Sequence, residues 1–486
     1  MVILVKIAIV GFGVSGAAVL MALETSGKLT ADVQVDIFDP NSAPAVGLAY
    51  RKDSTHLLLN AFPTAMSLNP KDSSEFSKWL EEHYPAYQST IDLVPRTVFG
   101  EYASERLTPL LEKENVTHIQ TEIVDTTIQK GYQLEDVNGK EYGDYDALFL
   151  AVGNPPYKDF YNLKGQENYI HDPYPVVEKL KVISDDARVA IIGSNLTSFD
   201  LVNYLSHEKD LQHPLGIFTI VPFFNSLRVL PYQGTTLEYS LDRDWIEKEV
   251  LENKGKLPLE RIVETVQEDL EKNQIDLAAI RKVYDPMDLK GTYETYFGKE
   301  HPDLSKLQGY IARLSSYLGD LYMAMTQSDQ ERYRETYAPL FSHYQVRLAP
   351  DAVKNMYELW AEDQLYVVPD LVRITKDNTF CLESESGQSF EADVVINASG
   401  FDFNTETIGE ANPLLGNLLD KEFLLDKAQR GLLVTWPETQ VINQRYGQLP
   451  NCFVLGPWIS NTHFANNNVK ALVQKADEIV ESYMLF

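Results

Sequence analysis

Gly11, Gly13, Gly16 and Asp39 are the residues whose types and spacing point most directly to chemistry. They lie in KIAIVGFGVSG and VQVDIFD, with AAVLMAL between. An apolar run, a glycine turn, an Ala/Leu-rich helical pattern and a second apolar run ending on a carboxylate make a βαβ dinucleotide fingerprint. Gly11 permits the tight turn out of the strand. Gly13 has no side chain to block a pyrophosphate, and Gly16 lets the helix pack close to the strands. The helix N-terminus offers unpaired N–H groups and a partial positive charge to phosphates. Asp39 can accept both hydroxyls of a ribose, and its charge repels a 2′-phosphate. FAD or NAD is therefore favoured over NADP at this turn; the alternative is a glycine-rich turn with a structural role only.

The elements that must position these residues follow in order. After Asp39-Pro40 the chain is rich in turn residues up to Pro70 and too irregular for one long helix. Residues 73–83 read as a helix capped by Ser73 or Ser74. VPRTVFGEYASERLTPLLEK is a loop feeding a helix, and VTHIQTEIVDTTIQ is a strand. Gly131 to Glu141 suggests a hairpin with Asn138-Gly139 at its tip. YDALFLAVG is a buried strand that Gly153-Asn154-Pro155-Pro156 must stop.

A second strand–turn–helix begins at Asp186, in ARVAIIGSNLTSFDLVNYL, and GIFTIVP is its next strand. From 235 to 345 the periodicity is helical. Leu259, Ile262, Val263, Val266 and Leu270 form one apolar face; Leu307, Ile311, Leu314, Leu318, Leu321 and Met325 form another. Such a stretch covers the sheet domains, caps a substrate pocket, or does both. Strands return from Val346, and ADVVINASG echoes YDALFLAVG. NCFVLGPW is a last strand, followed by ISNTHFANNN and a helix, VKALVQKADEIVESYM. The fold class expected is α/β, two Rossmann-like dinucleotide-binding domains with a largely helical insertion.

Composition narrows the partners. The chain has 486 residues, a net charge of −29 and 44% hydrophobic residues. That acidity disfavours nucleic acid and anionic membrane. Cys381 and Cys452 are the only cysteines and form no CxxC, so a disulfide framework is excluded and buried apolar roles are expected. No apolar run reaches about 18 residues, so no membrane span is expected. The apolar N-terminus lacks a basic leader and a cleavage site and is read as the first strand, which makes the cytoplasm the expected location. The histidines show no HxH or HxxxH pairing, so no metal site is expected.

GFGVSG, GLAY, LLLN, PRTVFGEY, FLAVGNPP, IIGSNLTSFD, VVINASGF and VLGPW, in that order, resemble the FAD/NAD(P)-binding protein family among the two-dinucleotide-domain flavoproteins. Relatives of that family include FAD-dependent urate hydroxylases and, more distantly, N-hydroxylating and Baeyer–Villiger monooxygenases. The resemblance covers nearly the whole chain. It implies that 1–160 and 346–486 form a discontinuous FAD-binding domain, 161–234 a second Rossmann-like unit of NAD(P) type, and 235–345 the helical insertion. It implies that Gly11, Gly13, Val14, Ser15 and Gly16 hold the FAD pyrophosphate and Asp39 the adenosine ribose. Asn60 and Arg96 fall in cofactor-lining segments, and a backbone group near Val124 meets the adenine. Gly153 and Gly400 mark strand ends where the chain crosses between domains, and Gly456 approaches the isoalloxazine end.

Gly193, Ser194, Asn195 and Leu196 are the candidates for a second nucleotide, NADH or NADPH. Relatives that bind NADPH tend to carry glycine where this chain has Asn195, and a side chain there crowds a pyrophosphate. Relatives often follow the next strand with a Ser-Arg-type cluster; here Val221 to Asn225 intervene and the first arginine is Arg228. Pro457-Trp458 stand where many flavoproteins have an aspartate reaching the ribityl chain.

The function expected is an FAD-dependent oxidoreductase, monooxygenase-like, moving electrons from a reduced nicotinamide through FAD to oxygen and a small-molecule substrate. Alternatives are an FAD-binding scaffold or redox sensor without turnover, and an oxidase or dehydrogenase reduced by its own substrate. Flavin carries the electron chemistry, so no catalytic triad is required. His463 and His171 are the candidate catalytic residues. The sequence leaves the oligomeric state open.

Overall fold

The first strand forms where the sequence turns continuously apolar. Strand β1 (Val5–Val10) has four consecutive buried residues, as a strand covered on both faces requires. Helix α1 (Val14–Thr25) buries every residue from Gly16 to Leu23 and packs against the carboxy-terminal helix Val469–Glu478. Strand β2 (Val33–Phe38) then lies parallel to β1. A computed structural model describes residues 4–90, 92–220, 224–234, 236–283, 291, 294, 301–427, 430–464 and 466–483. Val221, Pro222 and Ala465, which the sequence places in a strand and a late loop, lie outside the described residues.

The chain divides into two units. Unit 1 comprises Met1–Thr55, Ala61–Pro156 and Phe401–Phe486; unit 2 comprises His56–Asn60 and Tyr157–Gly400. In unit 1, helices α2 (Glu75–His83) and α3 (Arg96–Leu111) precede β3 (Val116–Ile119). Ser74 occupies the N-cap position of α2 but makes no side-chain cap there; its hydroxyl goes to Asp72 instead. The expected single strand from Val116 splits in two. β3 joins the parallel sheet, while β4 (Ile123–Ile128) pairs with β5 (Tyr132–Asp136) in a separate antiparallel sheet completed by β6 (Glu141–Tyr145). The β5–β6 hairpin turns at Asn138-Gly139, where Asp136 Oδ1 accepts from the N–H groups of Asn138 and Lys140. Strand β7 (Ala147–Leu150) returns beside β1.

Unit 2 repeats this plan. Strand β8 (Tyr169–Ile170), the short helix α4 (Val176–Lys179), β9 (Val189–Ile192), helix α5 (Leu196–Glu208) and β10 (Leu215–Phe218) come first. Strand β11 (Leu365–Val368) lies parallel to β10. An antiparallel trio follows, β12 (Leu371–Lys376), β13 (Phe380–Ser384) and β14 (Ser389–Ala392), and β15 (Val394–Asn397) returns parallel to β9. The order β3-β2-β1-β7 of unit 1 is thus the order β11-β10-β9-β15 of unit 2, each with its own three-stranded sheet. In unit 1, β17 (Gly447–Val454) and then β16 (Gln440–Asn443) extend the parallel sheet beyond β7.

This repeat moves one boundary. Residues 346–400 are expected with the amino-terminal domain, but they belong to unit 2, because β11 and β15 complete the sheet of β9 and β10. Between β10 and β11 the chain is helical, in Arg243–Glu252, Leu259–Lys272, Leu277–Val283, Pro302–Ser315, Leu318–Ala324 and further helices up to Pro350–Ala361. Leu307, Ile311, Leu314, Leu318, Leu321 and Met325 are all buried, although the stripe breaks across two helices. On the other face Leu259, Ile262 and Leu270 are buried, while Val263 and Val266 are only half-buried. Asp269, fully buried, ties this region together by accepting from the Ser240 N–H and hydroxyl and from the Tyr310 hydroxyl at 2.6–3.1 Å.

Cys452 is buried in β17, whereas Cys381 is half-buried with Sγ 3.0 Å from the Ser389 hydroxyl. Beneath the sheet of unit 1, the Tyr145 hydroxyl donates to Asp36 Oδ2 at 2.8 Å. Burial and that carboxylate both push the Tyr145 hydroxyl far up. Tyr145→Phe, which leaves a buried carboxylate short of one donor, should lower the unfolding free energy by about 1–3 kcal/mol. Urea unfolding measures it, and an unchanged midpoint would contradict this role.

Candidate functional site

The site in unit 1 lies at the carboxyl ends of β1, β2, β7 and β17, where an open parallel sheet places its ligands. Three main-chain bonds lock these ends in step. Gly11 N–H donates to Phe38 at 2.8 Å, Ala151 N–H to Val10 at 2.8 Å, and Leu455 N–H to Leu150 at 3.0 Å. The turn after β1 is held by two contacts that admit no side chain. A Cβ on Gly11 would lie 2.1 Å from the Ala151 carbonyl oxygen, and one on Gly16 would lie 2.1 Å from the Gly11 carbonyl oxygen.

Gly13 is different. A Cβ there would meet only Gly47, its Cα at 3.5 Å and its N at 4.0 Å, ordinary contacts. The fold itself does not demand glycine at this position. Gly13 is the N-cap of α1 and supplies no side-chain cap, so the first-turn N–H groups beyond it, from Val14 and Ser15, receive nothing from the capping residue. A bare helix N-terminus of this kind can hold a phosphate.

Asp39 stands beside the turn. Its Oδ2 accepts the Phe12 N–H at 2.7 Å, and its Oδ1 accepts the Asn41 N–H and side-chain amide at 2.8 and 2.9 Å. These donors fix the carboxylate, and a carboxylate has further lone pairs for ribose hydroxyls. Asn41 and Gly47 have parts that the sequence reading does not assign. Asn41 follows Asp39 closely enough to suggest an Asx turn; Gly47 stands in GLAY, but its approach to Gly13 is legible only in three dimensions.

Gly456 has φ of 111°, and a Cβ there would lie 3.6 Å from Ser15 Oγ and 4.0 Å from the Gly153 carbonyl oxygen. Gly456, Ser15 and Gly153 are therefore neighbours. Asn466 donates to the Gly456 carbonyl at 2.8 Å. Its Oδ1 and the Trp458 indole Nε1 are both shut off from solvent and meet no hydrogen-bond partner among the described residues.

Other expected residues fall elsewhere. Arg96 opens α3, which packs on the loop that carries Gly47: a Cβ on Gly100 would lie 2.0 Å from the Tyr50 carbonyl oxygen, and Ser104 donates to Pro44 at 3.0 Å. Burial pushes the Tyr50 hydroxyl up to about 12, with Arg96 opposing. Val124 sits at an irregularity in β4, and its carbonyl is taken by the Asn417 amide at 2.8 Å. Asn60 and Gly400 belong to unit 2. The Asn60 carbonyl accepts from the Arg228 guanidinium, which burial, with Arg347 nearby, holds down at about 9. After β7 the chain enters unit 2 at Tyr157, and after Gly400 it re-enters unit 1.

His463 is buried against Trp436, ring centroids 4.7 Å apart, and its Nε2 faces the Thr435 carbonyl at 3.1 Å. A carbonyl accepts only, so Nε2 carries the proton. Burial first, then Lys475 and Lys427, pull its imidazole down to about 3. His171 belongs to unit 2; its carbonyl accepts from Asn397 Nδ2 at 3.2 Å, and burial lowers its imidazole. No group of three or more His, Cys, Asp or Glu among the described residues could hold a metal ion.

In unit 2 the turn after β9 is built by the same bonds. Gly193 N–H donates to Phe218 at 2.8 Å, Ala398 N–H donates to Ile192 at 2.8 Å, and a Cβ on Gly193 would lie 2.3 Å from the Ala398 carbonyl oxygen. Ser194 lies in this turn, Leu196 starts α5, and Asn195 is the N-cap. Asn195 Oδ1 accepts the Leu196 N–H at 2.9 Å and the Asn225 amide at 2.6 Å. Ser198 takes the position of Gly16 and donates its hydroxyl to the Gly193 carbonyl at 2.8 Å.

Residues 8–155 match the family model described as FAD-NAD(P)-binding. No curated protein sequence matches the chain. Among solved structures, the chain is similar to the ornithine N-hydroxylase of Kutzneria sp. 744, at 13% identity and TM-score 0.56, over 98% of both chains. It is similar to the L-lysine 6-monooxygenase of Pseudomonas syringae, at 13% identity and TM-score 0.58, over 98% of both chains. A cyclohexanone monooxygenase mutant from Rhodococcus sp. Phi1, bound to NADP+, aligns at 15% identity and TM-score 0.52 over 98% of this chain and 85% of its own. At these identities the likeness concerns the fold. No described helix is long and apolar enough to cross a membrane. Residues 8–155 thus match an FAD-NAD(P)-binding model, and the chain shares the fold of these monooxygenases.

Proposed function

We propose that the chain is a monooxygenase-like, FAD-dependent oxidoreductase of the cytoplasm that acts on a small molecule. The observation that carries this reading is Gly13, a glycine the fold does not need, at an uncapped helix N-terminus beside an anchored carboxylate. A diphosphate fits there: the N–H groups after Gly13 receive it, and a methyl group at that position would stand in its way. Asp39 receives the adenosine ribose. Ser15, Gly153 and Gly456 line the next part of the cofactor, with the side-chain oxygen of Asn466 turned to one of its donors. Gly11 and Gly16 serve by shaping the turn. Arg96 acts through the loop that places Gly47 against Gly13, and Val124 contributes its N–H, since its carbonyl is already used. When bound, FAD would supply the electron chemistry between a reduced nicotinamide and oxygen, and the residues above would hold it. Asn60, Gly400 and the Gly193–Leu196 turn belong to the unit read as the nicotinamide side.

His463 receives no proton-transfer role. Its Nε2–H is already given to Thr435, and with a folded value near 3 it stays neutral at physiological pH. It serves as a neutral strut under the late loop. The deciding experiment is anaerobic addition of NADH, then NADPH, to the purified yellow protein. Bleaching of the flavin band followed by recovery in air supports the reading; no bleaching by either would refute the nicotinamide half.

The glycines give a paired test. Gly13→Ala should leave the melting temperature of the flavin-free protein nearly unchanged while weakening FAD binding more than about tenfold, and Gly16→Ala should destabilise the fold itself. Equal effects of the two on melting would contradict the distinction. Asp39→Ala should cost FAD binding roughly 1.5–3 kcal/mol, read by calorimetric titration. For His463 the folded state disfavours the proton, so its stabilising effect is complete above the unfolded value of about 6.5 and is lost as pH falls towards the folded value. Stability should fall between those limits at up to about 1.4 kcal/mol per pH unit from this group alone. His463→Gln should flatten that slope in unfolding titrations; an unaltered slope would contradict the neutral buried state.

A further inference from the structure

The two turns share their backbone bonds and differ at one decisive place. In unit 1 the helix N-terminus is capped by Gly13, with no side chain over it. In unit 2 the same position is Asn195, and its Oδ1 already occupies the first N–H of α5, that of Leu196, at 2.9 Å. Asn225 holds that oxygen in place with a second bond of 2.6 Å. One residue further along the parallel, Thr219 follows Phe218 as Asp39 follows Phe38. Thr219 is fully buried, and its hydroxyl has no hydrogen-bond partner among the described residues. So unit 2 keeps the backbone geometry of a dinucleotide turn, with the buried Thr219 in the chain position of Asp39, while its own side chain covers the amide a diphosphate needs.

We propose that the Asn195–Asn225 pair is a latch over the diphosphate seat of unit 2, and that Asn195 is the residue that limits binding of a nicotinamide dinucleotide there. The proposal rests on reading the second turn as the nicotinamide side. A diphosphate can reach the Leu196 N–H only after Asn195 Oδ1 leaves it and gives up its bond to Asn225. Both bonds are made within the protein and must be broken before the nucleotide gains anything, so they subtract directly from its affinity. The latch sets how much nucleotide is needed rather than which chemistry follows.

Asn195→Gly restores the arrangement of unit 1, and glycine is tolerated at an N-cap with little loss of helix stability. Asn225→Ala leaves the cap but removes the bond that holds it closed. Binding of NADH and of NADPH to the full chain is measured by calorimetry, which does not depend on flavin bleaching. Asn195→Gly should bind at least one of them about tenfold more tightly than the unaltered chain, with Asn225→Ala between the two. If neither variant binds more tightly, or if Asn195→Gly binds more weakly, Asn195 is no latch and the proposal is overturned. Flavin content and bleaching, read on the same samples, bear separately on the function proposed above.

Discussion

Two contacts that exclude any side chain hold the site of unit 1 together. The Ala151 carbonyl lies where a Cβ of Gly11 would be, and the Gly11 carbonyl lies where a Cβ of Gly16 would be. Through them β7, β1 and α1 close to backbone distance, and the N-terminus of α1 is aimed past the strand ends. Asp39 is anchored to that same turn through the Phe12 N–H. The carboxylate and the helix end therefore move as one body, which is what simultaneous recognition of a ribose and a diphosphate requires.

The second unit shows what the plan can lose without losing the fold. Gly193 keeps its close approach to Ala398, so the strand ends stay locked. Ser198 replaces Gly16, and the lost closeness is offset by a hydroxyl bond to the Gly193 carbonyl. Asn195 replaces Gly13 and caps its own helix. Ser198 satisfies a carbonyl and Asn195 an N–H from within the protein, and only the N–H is one that the first unit leaves without a side-chain cap. One unit thus gains intrinsic helix stability, and the other keeps an exposed set of donors. Stability and binding compete here for the same N–H groups.

Much of this was legible in the chain. KIAIV, the spacing of Gly11, Gly13 and Gly16, and Asp39 at the end of VQVDIFD announce the turn because strand, turn, helix and strand follow one another in the chain. The apolar stripe from Leu307 to Met325 is buried, as its helical spacing foretells, whereas Val263 and Val266 of the other stripe stay half-buried. What was not legible depends on pairing at long range. VTHIQTEIVDTTIQ is uniform in strand propensity, yet β3 and β4 part because they join different partners. Residues 346–400 carry strands that suit either unit, and only the pairings of β11 with β10 and of β15 with β9 assign them. Nothing in the spacing of Gly47 announces that it will face Gly13, and nothing near His463 in sequence announces the Thr435 carbonyl or the burial that, with two lysines, keeps it neutral.

In the proposed function, the bare helix end after Gly13 receives a flavin dinucleotide's diphosphate. The most direct measurement is the visible spectrum of the freshly purified chain, followed by titration with FAD. A yellow protein, or a colourless one that turns yellow at one equivalent of FAD, is the predicted result. A chain that stays colourless in excess FAD would contradict the claim.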